Sequence, residues 1–282
     1  MIINWDDMEK VWHHTFIMTS RKITEIMFEI FEVPAFYSEK SELFSLISSG
    51  KRTGLMIQSG HDLSYCVSIF EGEILNDSFT QLNLAGKSIT EYLIKLVNQR
   101  EGYSFTTFGE KEIVRDMKEK ICYVALDFEE EMNKHENIIQ KDYELPDGQI
   151  IQIGKERFQS AECLFQPSLI GIEEDGIHKI AYDAITKTEN ELRKEVIENI
   201  VLTGGTSMFP GFNERLEKEM NQLMEKEEKI NVIASPQRKY SVWIGGAIFA
   251  SRPGFLNLCI SSQDYNEFGP TIIHKRKQNN FF

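Results

Sequence analysis

The apolar residues of this chain follow two periods in turn, and that alternation is the strongest constraint on its fold. Residues 55–57 and 65–70 have the short apolar patterns of β-strands, and residues 59–62 join them. Residues 212–223 carry apolar side chains at helical spacing, and residues 201–202 resemble a short buried strand. Strand-like and helix-like segments that alternate along a chain predict an α/β fold.

Local capping and turn signals mark several element boundaries. Ser88 with Glu91, and Thr107 with Glu110, have the spacing of a helix-capping box, in which each side chain bonds the other's backbone N–H. Residues 147–148, an Asp-Gly pair between two apolar segments, predict the turn of a β-hairpin. These signals predict two helix starts and one hairpin.

The net charge restricts the partners of the protein. With 31 basic and 44 acidic residues the formal charge is −13, so the surface repels phosphate backbones and direct nucleic-acid binding is not expected. No apolar run approaches the length of a membrane span, and the acidic N-terminus is not that of a secretory signal peptide. The cysteines are scattered without CxxC spacing, as is typical of reduced thiols in the cytosol. They are Cys66, Cys122, Cys163 and Cys259.

Several long segments of the chain resemble actin. The resemblance covers nearly the whole chain, and it implies the ribonuclease H-like α/β fold shared by actin, Hsp70 and hexokinase, in which two halves enclose a nucleotide cleft. It also implies a cytoplasmic protein of the cytoskeleton. The matching segments are residues 4–10, 12–16, 102–107, 113–116, 123–128, 143–148, 164–168 and 238–246.

The same resemblance implies a shortened first half. Residues 1–51 would be a remnant that lacks the first phosphate-binding hairpin, the small outer subdomain and a sheet strand. Within it, residues 23–30 predict a helix, and residues 35–37 would form a lone strand with unpaired backbone groups. Residues 52–240 would form a complete second half with the adenosine site. Residues 241–282 would form C-terminal helices that return to the first half.

The adenosine side of the family's nucleotide site is retained. Residues 203–209 resemble the adenosine loop, where two glycines let the backbone approach a ligand closely. Lys118 and Glu119 match adenine and ribose contacts, although a solvated helix face is the ordinary interpretation of such residues taken alone. Lys239 matches a contact to the base edge. The predicted nucleotide-binding residues are Gly60, Gly86, Arg115, Lys118, Glu119, Gly204, Gly205, Thr206, Met208, Phe209 and Lys239.

The phosphate side of the site is altered. The family's second hairpin has two aspartates, replaced here by Gln58 and His61, and a following glycine, replaced by Asp62. Gln58 offers no charge to Mg²⁺, and Asp62 would place a carboxylate where phosphate oxygens lie. The water-positioning glutamine and its partner histidine are replaced by Ser41 and Tyr65. We therefore expect weakened ATP or ADP binding, no catalytic residues and no hydrolysis. A metal site is not expected, because His61 alone lacks the partner ligands that such a site requires.

Two surfaces resemble the family's protein contacts. Residues 169–172 match the apolar plug that helps to join filament strands, although a buried loop edge is the ordinary interpretation. Arg252 replaces a leucine in a groove for amphipathic helices, which disfavours partners with a hydrophobic helix face. Actin or actin-binding proteins are the expected partners, and loss of the outer contact loop predicts that ordinary filaments do not form. The groove would also be lined by Ile47, Ile244, Ile248, Phe249 and Leu258.

Three interpretations remain open from the sequence. The first is a divergent actin-like protein that acts by contact with other proteins and does not hydrolyse ATP. The second is a truncated gene copy or an incomplete gene model without independent function. The third, an active nucleotide-switch ATPase, is disfavoured by the altered hairpin. Phosphate-release assays separate the third from the first, and detection of the protein in cells separates the first from the second.

Overall fold

The computed structural model describes residues 20–99, 104–224 and 230–275. The predicted matching segments at residues 4–10 and 12–16, and residues 102–103, lie outside the described residues. Within the described residues, no helix is both long and apolar enough to cross a membrane.

The secondary structure alternates between strands and helices, as the apolar periodicity predicts. In chain order the strands are β1 (Ala35–Phe36), β2 (Gly54–Ser59), β3 (Ser64–Phe70), β4 (Glu73–Ile74), β5 (Thr80–Leu82), β6 (Lys141–Glu144), β7 (Ile150–Ile153), β8 (Ile200–Thr203), β9 (Val232–Ile233) and β10 (Ile260–Ser261). The helices are α1 (residues 20–25), α2 (Ser41–Ser48), α3 (Gly86–Asn98), α4 (Phe108–Ile121), α5 (Phe128–Asn133), α6 (Glu136–Ile139), α7 (Glu156–Glu162), α8 (Ile177–Thr186), α9 (Asn190–Ile197), α10 (Phe212–Leu223), α11 (Ser241–Ala250), α12 (Phe255–Leu258), α13 (Ser262–Phe268) and α14 (Ile272–Lys275).

The chain divides into two compact units. The larger unit is Glu42–Gly245, and the smaller unit combines the described residues up to Ser41 with those from Gly246 onward. The predicted boundaries after residues 51 and 240 stay a prediction.

A mixed six-stranded sheet organises the larger unit. Its strand order is β4-β3-β2-β8-β9, with β5 paired to β3. β2 and β3 form an antiparallel hairpin, whereas β2, β8 and β9 run parallel. Leu55, Ile57 and Leu202 are buried in one continuous core with helices α3, α4, α8 and α10, which explains why the strands are almost entirely apolar.

The smaller unit corrects the expectation of a lone strand. β1 pairs antiparallel with β10, in the register Ala35 to Ser261, so its backbone groups have a partner. A π-helical segment, Ile26–Ile30, continues α1, and its Phe28 ring stacks on Tyr265 with the centroids 4.6 Å apart. The predicted helix at residues 23–30 is therefore present, continuing from α-helical into π-helical geometry.

One of the two predicted capping boxes is confirmed and the other is wrong. The Thr107–Glu110 box is confirmed, with both reciprocal hydrogen bonds at the start of α4. The Ser88–Glu91 box is wrong, because α3 begins two residues earlier, at Gly86. The first N–H groups of α3 are satisfied by another part of the chain, since the backbone N–H of Gly86 donates to Gly60 O at 3.1 Å. Tertiary contact thus sets this helix start in place of a local cap.

The remaining local predictions are confirmed. Residues 147–148 form the turn between β6 and β7, with Gly148 at φ 86°. The helical spacing of residues 212–223 corresponds to α10, and β8 ends immediately before Gly204.

Candidate functional site

The loops after β2 and β8 meet at the carboxyl ends of these two parallel strands, where ligands bind in open α/β sheets. The turn after β2 is held by its own backbone, since Gly60 N–H donates to Leu63 O at 3.2 Å. Gly60 O accepts hydrogen bonds from Gly86 N–H and, at 2.6 Å, from Thr206 Oγ1. One carbonyl therefore joins the hairpin, the start of α3 and the loop after β8.

The two glycines of the loop after β8 have different physical roles. Gly204 has φ 91°, and a Cβ built on it would lie 2.2 Å from Ser59 O, so only glycine fits between the loop and β2. Gly205 has φ −64°, and a Cβ there would meet nothing closer than Lys239 Cγ at 3.9 Å. Gly204 therefore packs against the sheet, whereas Gly205 borders open space.

That open space is a cavity of about 480 Å³, within the range of small-molecule sites. Ten of the eleven predicted nucleotide-binding residues line it, and Gly204 lies behind the lining, against Ser59. His61 also lines the cavity but is not among the predicted binding residues. Its position immediately after Gly60 is the sequence feature that indicates a place in the lining. The lining residues are Gly60, His61, Gly86, Arg115, Lys118, Glu119, Gly205, Thr206, Met208, Phe209 and Lys239.

Lys118 is buried, with 6% of its surface exposed, so the solvated-face interpretation is wrong for this residue. Its Nζ donates to Gly86 O at 2.7 Å and to Thr90 Oγ1 at 2.9 Å. Burial lowers the pKa of the Lys118 ammonium, and nearby Glu119 opposes that effect. Thr90 lies one helical turn after Gly86, a spacing that could have identified it as part of this arrangement. Lys118 therefore fixes the start of α3 beside the cavity.

Glu119 and Lys239 form a charge pair beside the cavity. Lys239 Nζ lies 3.9 Å from Glu119 Oε2, and both side chains are about half exposed. Arg115 pairs with Glu112, one turn earlier in α4, at 2.9 Å. Three of the lining side chains are therefore basic and one is a carboxylate.

The donor set suits the organic part of a nucleotide better than a metal ion. The lining offers glycine backbone, apolar surface from Met208 and Phe209, and amines that can bind ribose or phosphate oxygens. Mg²⁺ prefers carboxylate oxygens, and the lining provides one carboxylate, which Lys239 already faces. Among the described residues, no group of three or more His, Cys, Asp or Glu side chains is arranged to hold a metal ion. The residues present fit an adenine nucleotide and do not fit a protein-anchored Mg²⁺.

The Tyr65 hydroxyl has two acceptors at and beside the altered positions. Tyr65 pairs with Gln58 in the β2–β3 ladder, and its hydroxyl donates to Gln58 Oε1 at 3.0 Å. Glu42 Oε1, on the first turn of α2 next to Ser41, is a second acceptor at 3.3 Å. Tyr65 therefore lies between Gln58 and Glu42.

The hairpin residue that faces the cavity is His61. Asp62 does not line the cavity, and the expectation that its carboxylate occupies the phosphate position stays a prediction. The side chains of His61 and Asp62 are both 66% exposed and lie 3.9 Å apart.

The predicted contact surfaces are partly accessible. Leu169 is 37% exposed, whereas Ile170 and Ile172 pack against the core of the larger unit, so part of the plug segment is anchored. Of the predicted groove residues, Ile47 and Phe249 are buried, so they do not form an open apolar surface. Within the smaller unit the Arg252 guanidinium lies 5.2 Å from the centroid of the Phe249 ring. Arg252 therefore covers apolar surface at this point.

This arrangement defines a mixed α/β protein with a small-molecule cavity at the carboxyl ends of parallel strands, between a glycine hairpin and a glycine loop. The Actin family model matches residues 18–278, which is most of the chain. A protein of Dictyostelium discoideum described as "Putative actin-29" is 40% identical over 301 aligned residues, which cover 97% of this chain and 78% of that protein. The chain belongs to the actin family.

Proposed function

We propose that this actin-family protein binds an adenine nucleotide in the cavity and acts by contact with other proteins, without hydrolysing ATP. The observation that carries the nucleotide proposal is the convergence of ten predicted residues, from five separate parts of the larger unit, on one cavity. Its volume, its exposed glycine backbone and its basic side chains suit a ligand with a flat base and an anionic tail. The ligand would be ATP or ADP, bound more weakly than in relatives with an intact phosphate side.

The proposed loss of hydrolysis is supported by the chemistry of the altered positions. Hydrolysis requires a group that orients and polarises a water molecule in line with the phosphate. By the resemblance Ser41 and Tyr65 stand at such positions, and Tyr65 is largely buried with its hydroxyl directed at Gln58 and Glu42. A phenol that donates its proton to these two side chains is not placed to accept a proton from water.

Nucleotide binding and phosphate release in one preparation test both parts of the proposal. We expect calorimetric titration with ATP and ADP to give saturable binding, and phosphate release to stay at the level of a buffer blank. An actin with an intact nucleotide site serves as the positive control for release. Mg²⁺-dependent turnover by the purified protein that is lost in a Gly205 variant would contradict the proposed lack of hydrolysis.

The proposed mode of action is contact with actin or with actin-binding proteins in the cytoplasm. Family membership supports it, as does Leu169, which is part of the apolar plug segment and is exposed. Co-sedimentation with preformed actin filaments tests this contact, with Leu169→Asp as the variant and Leu126→Asp, at another exposed leucine, as the matched control. We expect Leu169→Asp to reduce the bound fraction and Leu126→Asp to leave it unchanged. Equal binding by both variants would contradict the use of this segment.

Ordinary filament formation by the protein alone is not expected, and a sedimentation assay without added actin measures it.

A further inference from the structure

The hairpin side of the cavity presents an imidazole where a metal-binding site would need carboxylates. His61 lines the cavity, its side chain is 66% exposed, and among the described residues the carboxylate nearest its ring is Asp62, at 3.9 Å. Gln58, at the end of β2, is turned to Tyr65. Among the lining residues the one carboxylate is Glu119, and Asp62, the carboxylate nearest the imidazole, lies outside the lining, so the cavity wall offers few of the oxygen ligands that attract Mg²⁺.

The cavity nevertheless carries positive charge. Arg115, Lys118 and Lys239 line it together with one carboxylate, Glu119. Lys118 is held by Gly86 O and Thr90, so its ammonium is fixed in place, whereas Lys239 is half exposed and faces Glu119 at 3.9 Å. Cations beside a partly enclosed cavity attract an anionic ligand without an additional ion.

From these two observations we infer that the cavity binds adenine nucleotides without a divalent cation, and that His61 contacts the phosphate groups in place of the metal. The inference rests on the proposed nucleotide binding and names its ionic requirement. An imidazole N–H donates a hydrogen bond to a phosphate oxygen, and the surrounding ammonium and guanidinium groups offset the phosphate charge. A carboxylate at position 61 would repel the same phosphates unless a cation lay between them.

The first arm of the test measures binding of ADP and of ATP to the full chain, in buffer with excess Mg²⁺ and in buffer with excess EDTA. We expect the two dissociation constants for each nucleotide to agree within about threefold. Binding in Mg²⁺ that weakens more than about tenfold in EDTA would overturn the inference and leave the proposed function standing. Binding in neither buffer would overturn both.

The second arm restores a carboxylate to the hairpin. His61→Asp should weaken nucleotide binding in EDTA by about tenfold or more, because the carboxylate repels the phosphates, and Mg²⁺ should recover the lost affinity. The His61 side chain is largely exposed and makes no hydrogen bond within the described residues, so the variant should fold, and an unchanged thermal midpoint checks this.

A matched control makes the same chemical change away from the cavity. His135 is exposed at the start of α6, where its ring accepts a hydrogen bond from Asn137 N–H, and an aspartate there can accept the same bond. His135→Asp should bind nucleotide like the parent protein in both buffers. If His61→Asp behaves like His135→Asp, with no Mg²⁺ dependence, the assigned contact between His61 and phosphate is wrong.

Discussion

Two adjacent glycines after β8 allow folding and ligand binding to be perturbed separately. In Gly204→Ala the new Cβ would lie 2.2 Å from Ser59 O, a backbone atom that cannot rotate away, and the residue would have to keep φ 91°. A left-handed conformation costs a non-glycine residue roughly 1–2 kcal/mol, and overpacking adds typically about 1–3 kcal/mol. We therefore expect the free energy of unfolding to fall by about 3 kcal/mol, with a decrease in Tm of roughly 6–12 °C.

Gly205→Ala should leave the stability nearly unchanged and weaken ligand binding. Its φ of −64° and ψ of −34° suit alanine, and the new methyl group would meet nothing closer than 3.9 Å. The Tm should therefore stay within about 2 °C of the parent value. Because the residue lines the cavity, the methyl group occupies space next to the ligand, and we expect the affinity for ADP to fall by about tenfold.

Thermal melting by circular dichroism and calorimetric titration with ADP, applied to both variants, measure these effects. Gly204→Ala should mainly lower the Tm, whereas Gly205→Ala should mainly weaken ADP binding. A Gly204→Ala protein that melts like the parent would mean that the loop does not approach β2 as closely as 2.2 Å. A Gly205→Ala protein that loses Tm as Gly204→Ala does would mean that this residue is needed for folding, and the separation of the two roles would fail.

Two further predictions concern buried ionisable groups. The Arg215 guanidinium donates at 3.0 Å to the fully buried carboxylate of Glu162, so Arg215→Met should lower the free energy of unfolding in denaturant titration by about 3–5 kcal/mol. Lys179→Met, which breaks an exposed pair, should cost less than about 1 kcal/mol, and equal losses would contradict the assigned importance of burial. Burial lowers the pKa of His178, so below about pH 6.5 the unfolded chain binds more protons than the folded chain and stability is lost as pH falls. The decrease in Tm between about pH 7.5 and 5.5 should be smaller in His178→Gln, and parallel profiles would refute this.

Elements whose signals are local could be predicted from the sequence. The Thr107–Glu110 box, the turn at residues 147–148 and the helix α10 each depend on residues within a few positions of one another, and all three are confirmed. The lining of the cavity was also predicted, through the resemblance rather than through spacing, because a family match assigns a residue a place that its local sequence does not reveal.

Features that depend on distant parts of the chain could not be predicted in this way. The start of α3 is fixed by Gly60 O, and the partner strand of β1 lies more than two hundred residues further along the chain. The burial of Lys118 has the same origin, because its neighbours Gly86 and Thr90 are on another helix. In each case a hydrogen-bond partner supplied by tertiary structure overrides the local preference.

The bonding of the substituted residues bears on whether the chain is a functional protein or a decaying gene copy. Substitutions that accumulate without selection would leave buried donors and acceptors unpaired, since most random polar replacements lack a partner. Here Gln58 and Tyr65 share a hydrogen bond, and Glu42 beside the altered position Ser41 joins them. Among the described residues, the buried side-chain polar atoms without a partner are Ser45 Oγ and His178 Nδ1, a number typical of native proteins. Because the Tyr65 hydroxyl has acceptors on two neighbouring side chains, the residues at these positions leave no phenol unpaired, which favours a chain that keeps a stable fold.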